Sequence, residues 1–134
     1  MAEAANGPTV LVVDDEPAVR HVITRLLSEA GYRVLTAMSG PEALDRLQEA
    51  GPIQVLLTDL RMPTMNGVQL ALRVQHLWPG TRVVIMAAYP SEDPLAWPVL
   101  IKPFPLGELE GEIRRALGGP DARGGSGDYA ARVE

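Results

Sequence analysis

The sequence predicts an α/β fold in which helices cover both faces of a doubly wound, parallel β-sheet. Short, wholly apolar runs alternate along the chain with longer segments whose apolar residues recur at helical spacing. Apolar runs of this kind are typical of strands that are buried on both faces of a parallel sheet. Regular strand–helix alternation with short connections then favours the doubly wound arrangement.

The first half of the chain contains two strand–helix pairs. Residues 10–13 form the first strand and Arg33–Ala37 the second. Pro17 suits the first turn of the intervening helix, and Gly31 suits its end. The expected buried face of that helix is Val19, Val22, Ile23, Leu26, Leu27 and Ala30. Ser39 is the predicted cap of the second helix, which ends at Gly51-Pro52.

The second half repeats the alternation. Residues 55–58 are the third strand, 82–86 the fourth and 99–101 the fifth. A helix is predicted over 68–78, and its expected inward residues are Leu70, Ala71, Val74 and Leu77. The last helix has the apolar face Leu106, Leu109, Ile113 and Leu117. We expect one domain over 9–118, with a flexible segment over 1–8 and a flexible tail over 119–134.

Composition narrows the class of function. The net charge of −5 argues against direct binding to nucleic acid, and the absence of cysteine excludes thiolate metal sites. No apolar run approaches the roughly 20 residues that span a bilayer. Residues 1–8 lack the basic and apolar regions of a secretory signal. We therefore expect a cytoplasmic protein without membrane contact.

Charged residues follow the predicted strands where these end. Asp14 and Asp15 follow the first strand, Asp59 the third and Lys102 the fifth. The carboxyl ends of parallel strands meet at one edge of the sheet, where such folds bind ligands. Three carboxylates there favour a cation with oxygen ligands, and Mg²⁺ suits them better than Zn²⁺ or copper. Asp59 is the candidate nucleophile for phosphorus, and Lys102 would add positive charge.

Each of these residues also has an ordinary structural interpretation. Asp15 alone could cap the first helix, Asp59 could make a turn, and Lys102 could be a solvated surface group. Their coincidence at one sheet edge favours the functional interpretation. We expect both histidines, His21 and His76, to be exposed, and Trp78 and Trp97 to be packing groups.

Three motifs together resemble the receiver domain of response regulators in two-component systems. They are VLVVDDEP from residue 10, LLTDLRMPTMNG over 56–67 and IKPF over 101–104. The middle motif, with M-P-x-M-x-G in a fixed frame after Asp59, is the most specific. The resemblance extends from about Thr9 to Leu117, and it implies a flavodoxin-like, five-stranded sheet of order 2-1-3-4-5.

The resemblance also implies roles for individual residues. Asp59 would be the phosphoacceptor, and Lys102 would pair with the phosphoryl oxygens. Asp15 and Asp59 would bind Mg²⁺ directly with the backbone carbonyl of Arg61, and Asp14 would bind it through water. Lys102-Pro103 is often a cis peptide in this family. The phosphodonor would be a histidine kinase or a histidine phosphotransfer protein, and the downstream protein target is unknown.

The sequence departs from the family at its switch. Ala87 stands where the family usually carries Thr or Ser, and Val99 stands at the position of the switch aromatic. The interval from Ala87 to Lys102 is shorter than usual, and it contains Pro90, Pro94 and Pro98. Because proline disfavours helix through the preceding residue, we expect the fourth helix of the family to be shortened or lost. Partners would then bind through the first and last helices, and a homodimer is left open.

Three hypotheses of function follow. The leading one is a stand-alone receiver domain that works as a phosphorylation-dependent switch or phosphate shuttle, with slow autodephosphorylation rather than turnover as an enzyme. The alternative is an atypical receiver that serves as a constitutive protein-interaction module, motivated by Ala87 and Val99. The third is a metal-dependent hydrolase or nuclease, which a pocket without a general base disfavours.

Overall fold

Nine regular elements make up the part of the chain that the computed structural model describes, residues 7–118. The strands are β1 (Thr9–Val13), β2 (Arg33–Ala37), β3 (Val55–Asp59), β4 (Arg82–Ala87) and β5 (Val99–Ile101). The helices are α1 (Pro17–Glu29), α2 (Gly40–Ala50), α3 (Gly67–Leu77) and α4 (Leu106–Ala116). The predicted flexible tail over 119–134 and most of the segment over 1–8 lie outside the described residues.

The sheet has the predicted order β2-β1-β3-β4-β5, and every neighbouring pair is parallel. Successive side chains of a strand point to opposite faces, so β1 divides its residues between two cores. Leu11 and Val13 pack on the side covered by α2 and α3. Val10 and Val12 pack on the side covered by α1 and α4. This two-sided burial explains why the strands are continuous apolar runs.

Helix starts are set by side-chain caps where the sequence offers them. Ser39 accepts a hydrogen bond from the backbone N–H of Glu42 at 3.2 Å, which confirms the predicted cap. Asn66 and Gln69 form a reciprocal capping box at the start of α3, at 2.8 and 2.9 Å. The box starts α3 at Gly67, one residue before the prediction.

Some predicted inward residues are exposed instead. Val22, Ala30 and Leu77 all lie at the surface. A helix packed on a sheet buries one stripe, and on α1 that stripe contains Ile23 and Leu27. Leu77 is the last residue of α3, where Trp78 packs on the core instead. Leu106 in the first turn of α4 is likewise exposed.

The crossover from β4 to β5 contains no helix, as the prolines predict. We call residues 88–98 the strap. Leu95 and Trp97 of the strap pack against the core on the α3 side, and Trp97 Nε1 donates a hydrogen bond to Gln75 Oε1 at 3.1 Å. Trp78 and Trp97 are thus packing groups, as predicted. No helix within residues 7–118 has the length and apolarity to cross a bilayer.

Candidate functional site

The site is assembled at the carboxyl edge of the sheet, where four of the five strands deliver residues. Asp14 follows β1, Asp59 and Ala87 end β3 and β4, and Lys102 follows β5. The backbone N–H of Lys102 donates to the carbonyl of Ala87 at 2.8 Å, which continues the β4–β5 pairing past the end of β5. The Lys102–Pro103 peptide is cis, as the family resemblance implies.

Lys102 bridges two carboxylates. Its Nζ lies 3.0 Å from Asp14 Oδ2 and 3.1 Å from Asp59 Oδ1. The Asp14 side chain is 1% exposed, that of Asp59 12% and that of Lys102 23%. Removal from water strengthens such charge-assisted hydrogen bonds and makes an unpaired charge costly. The ammonium therefore holds together two carboxylates that would otherwise repel.

Asp14 is held from three directions. Besides the bond to Lys102, its Oδ1 accepts from the backbone N–H of Glu16 at 2.8 Å. The Arg20 guanidinium donates to the Asp14 carbonyl, also at 2.8 Å. Both carboxylate oxygens of Asp14 are thus already engaged by protein donors.

Asp59 is held from one side. Its Oδ1 accepts from Lys102 and from the backbone N–H of Leu60 at 3.0 Å. Its Oδ2 accepts no hydrogen bond from any group within residues 7–118. One oxygen is therefore oriented by protein donors while the other is available for chemistry.

A tight loop supports Asp59. Gly67 donates its N–H to the Leu60 carbonyl at 2.8 Å, which folds the loop back on itself. A Cβ at Gly67 would lie 2.4 Å from the carbonyl oxygen of Asp59, which is closer than packed atoms allow. This close approach explains the glycine that ends the M-P-x-M-x-G motif.

The charges perturb one another. Burial, reinforced by the charge of Asp14, raises the pKa of Asp59 despite the opposing effect of Lys102. Burial alone would lower the pKa of Lys102, but its hydrogen bonds and charge pairing with Asp14 and Asp59 outweigh burial and raise it. Lys102 therefore stays protonated, and its single positive charge is outnumbered by the carboxylates of Asp14 and Asp59.

Three carboxylates could hold a metal ion together. Asp14, Asp15 and Asp59 each offer one oxygen, and these oxygens all lie within 4.8 Å of one another. Asp15 is exposed at the rim, whereas the other two are buried. An all-oxygen donor set with access to water is what Mg²⁺ prefers. The structure thus brings the three predicted carboxylates together, and their roles as ligands, like that of the Arg61 carbonyl, stay predictions.

The two altered switch positions are filled by packing. Ala87 is 3% exposed at the end of β4, and Val99 packs against the core on the α3 side. Neither supplies a hydroxyl or an aromatic ring. Tyr89 is 74% exposed and Trp97 is bonded to Gln75, so neither takes the place of the missing switch residues in this conformation.

Sequence reasoning missed several contributors to the site. The pocket around Asp59 and Lys102 is also lined by strap residues, including Ser91, Glu92 and Asp93. The strap is irregular, and an irregular segment has no periodic pattern from which its course can be predicted. The sequence therefore contains no signal that these residues would line the pocket. Arg20 was missed as well, because nothing in a helical arginine reveals a bond to a carbonyl six residues earlier. The predicted exposure of His21 and His76 is confirmed, and neither lines this pocket.

Comparison with known proteins agrees with this geometry. The family model described as "Response regulator receiver domain" matches residues 10–114. The response regulator receiver protein CpdR of Brucella abortus is 34% identical over 115 residues, which cover 81% of this chain and 95% of CpdR. The transcriptional regulator NtrC of Rhizobium meliloti is 37% identical over 124 residues, which cover 87% of this chain but only 25% of NtrC.

Solved structures give the same result. The response regulator TrrA of Thermotoga maritima, in complex with Mg²⁺ and beryllofluoride, has a TM-score of 0.75 and 29% identity, covering 82% of this chain and 99% of its own. A further structure, of the histidine kinase ThkA in complex with TrrA, contains a chain that matches with a TM-score of 0.74 and 28% identity. The match covers 83% of this chain and 99% of the matched chain.

Proposed function

The chain belongs to the response regulator receiver domain family, and on this premise we propose that Asp59 accepts a phosphoryl group in two-component signal transduction. The donor is a histidine kinase or a histidine phosphotransfer protein. We propose further that the chain acts as a stand-alone receiver and phosphoacceptor, with slow autodephosphorylation rather than turnover as an enzyme.

The observation that carries the proposal is the Lys102 bridge beside a carboxylate with one available oxygen. Asp59 Oδ2 attacks phosphorus as the bond from phosphorus to the donor's imidazole nitrogen breaks. The nitrogen keeps the electron pair, and Asp59 becomes an acyl phosphate. Lys102 lies close enough to Asp59 for its ammonium group to exchange a hydrogen bond with the carboxylate for one with a phosphoryl oxygen. Positioning and charge neutralisation supply most of the catalysis in such transfers.

The donor set fits Mg²⁺. Asp14, Asp15, Asp59 and Lys102 carry a net charge of −2 when all are ionised, and a divalent cation would balance it. Asp15, Asp59 and the backbone carbonyl of Arg61 would hold the ion directly. Asp14 would act through water, since both of its oxygens are already engaged. When bound, the ion supplies positive charge that offsets the incoming phosphoryl oxygens.

Protein partners have apolar surface available on α1 and α4. Val22 on α1 is 54% exposed and Leu106 on α4 is 39% exposed. We propose that the kinase or phosphotransfer protein, and the downstream target, contact these two helices rather than the helix-less strap. Replacing Val22 and Leu106 with Ser should slow phosphotransfer from the kinase while phosphorylation by acetyl phosphate is unchanged. Equal transfer rates in variant and wild type would contradict this surface.

Incubation with acetyl phosphate and Mg²⁺, followed by intact mass measurement, tests the function. The wild type should gain the mass of one phosphoryl group and Asp59→Asn should not. Asp45→Asn is the matched control, because Asp45 is an exposed aspartate on α2 away from the site. Omission of Mg²⁺ should abolish the gain. A wild type that gains no phosphate from acetyl phosphate or from a kinase would overturn the proposal.

A second candidate, a constitutive interaction module, is favoured by the apolar packing of Ala87 and Val99. In that role phosphorylation would leave the outer surface unchanged. NMR spectra with beryllofluoride and Mg²⁺ separate the two. Shifts confined to the pocket support the constitutive module, and shifts that reach α4 support a switch.

A further inference from the structure

The pocket lacks a hydroxyl where related domains carry one. Ala87 is buried at the end of β4 beside Lys102, and its methyl group has nothing to donate. A phosphoryl group on Asp59 brings three strong acceptor oxygens. Lys102 and a metal ion can serve two of them, which leaves a place for one further donor.

Two hydroxyl-bearing residues line the pocket, Tyr89 and Ser91. The Tyr89 side chain is 74% exposed, so most of its ring lies in solvent. Ser91 is half-buried, and it lines the same pocket as Asp59 and Lys102. Within residues 7–118 the Ser91 hydroxyl takes part in no hydrogen bond, so no protein group competes for it.

The strap is built so that Ser91 can adjust its position. Residues 88–96 make no hydrogen bond to any part of the described chain. Within residues 7–118, hydrogen bonds hold the strap at its C-terminal end, where the Pro98 carbonyl accepts from the backbone N–H of Ile85 at 2.8 Å and Trp97 donates to Gln75 at 3.1 Å. Segments with few contacts and no backbone bonds move at low free-energy cost. A small shift of residues 88–96 toward Asp59 therefore breaks no existing hydrogen bond.

We propose that Ser91 donates a hydrogen bond to a phosphoryl oxygen on Asp59 and so supplies the hydroxyl that Ala87 lacks. The inference rests on the proposed phosphorylation of Asp59. The donor then comes from the strap rather than from the strand end, so phosphorylation draws the strap inward. The strap thereby becomes the element that responds to phosphorylation in this chain.

Beryllofluoride with Mg²⁺ is the probe, and its dissociation constant is measured by ¹⁹F NMR on the full chain. Ser91→Ala should weaken beryllofluoride binding about tenfold, as expected for one hydrogen bond to a charged group less the entropy of ordering the strap. Tyr89→Phe is the matched control, because it removes the other hydroxyl of the same pocket, and it should bind as the wild type does. Adding Ala87→Ser to the Ser91→Ala variant should restore most of the affinity.

Two further readouts separate the hydroxyl from general damage. The unfolding midpoint without ligand and the affinity for Mg²⁺ alone should be the same in Ser91→Ala and wild type. Binding of beryllofluoride by Ser91→Ala within about twofold of wild type would overturn the inference, as would an equal loss in Tyr89→Phe. Phosphorylation of the wild type by acetyl phosphate is measured in parallel. If it fails, the proposed function fails; if it succeeds and Ser91→Ala binds normally, only the role of Ser91 fails.

Discussion

Replacing Lys102 with methionine should destabilise the metal-free protein, because the substitution keeps the aliphatic stem and removes the charge that bridges Asp14 and Asp59. Two charge-assisted hydrogen bonds, at 3.0 and 3.1 Å, are lost, and two largely buried carboxylates are left facing each other. Removing one partner of a buried ion pair typically costs about 3–5 kcal/mol. Lys102 is 23% exposed, so water recovers part of this, and we expect a loss of about 3 kcal/mol.

Chemical denaturation in EDTA measures this loss, and a thermal scan should show a midpoint lower by about 10 °C. Mg²⁺ should narrow the gap, because it restores positive charge beside the same carboxylates. Arg73→Met is the control, since Arg73 is exposed on α3 and pairs with no acid within residues 7–118; it should change stability by less than about 0.5 kcal/mol. A Lys102→Met variant as stable as that control in EDTA would refute the reasoning.

Three other substitutions test the loop, the strap and a helix cap. Gly67→Ala should lower the free energy of unfolding by about 2 kcal/mol, because the new Cβ would meet the Asp59 carbonyl oxygen at 2.4 Å; urea denaturation checks this, and an unchanged midpoint would contradict it. Neutralising Glu92 and Asp93 together as Gln and Asn should speed phosphorylation by acetyl phosphate about two- to fivefold at low salt, since both line the pocket that an anionic donor enters. A gain that persists at high salt would argue against this electrostatic cause. Asn66→Ala should cost about 1 kcal/mol of stability through loss of the capping box, measured by thermal unfolding, and no loss would mean that the cap is dispensable.

The fold was predictable because strands that are buried on both faces of a sheet have continuous apolar sequences. Residues 10–13 and 55–57 are wholly apolar. In the structure these two segments pair in parallel, with Val10 opposite Val55. Helix surfaces were less predictable. Val22 is apolar and adjacent to buried Ile23, yet it lies off the narrow stripe that contacts the sheet. The apolar character of a residue alone does not tell whether it faces the sheet or the solvent.

The site was predictable to the extent that strand ends determine it. Asp14, Asp59 and Lys102 meet because parallel strands end at one edge, which is a property of topology. The position of Ser91 in the pocket lining could not be foreseen, since the strap has no periodicity and three prolines keep it irregular. The loss of the fourth helix was predictable from those same prolines, but the course of the chain that replaces it was not.

The central claim is that the carboxylate of Asp59 takes up phosphorus in a Mg²⁺-binding acidic pocket. The most direct test is to phosphorylate the chain, reduce the acyl phosphate with borohydride and locate the reduced residue by tandem mass spectrometry. We expect the reduction product at position 59 alone, and only when Mg²⁺ was present during phosphorylation. A reduction product at Asp14 or at Asp15 instead, or an equal yield at position 59 without Mg²⁺, would contradict the claim.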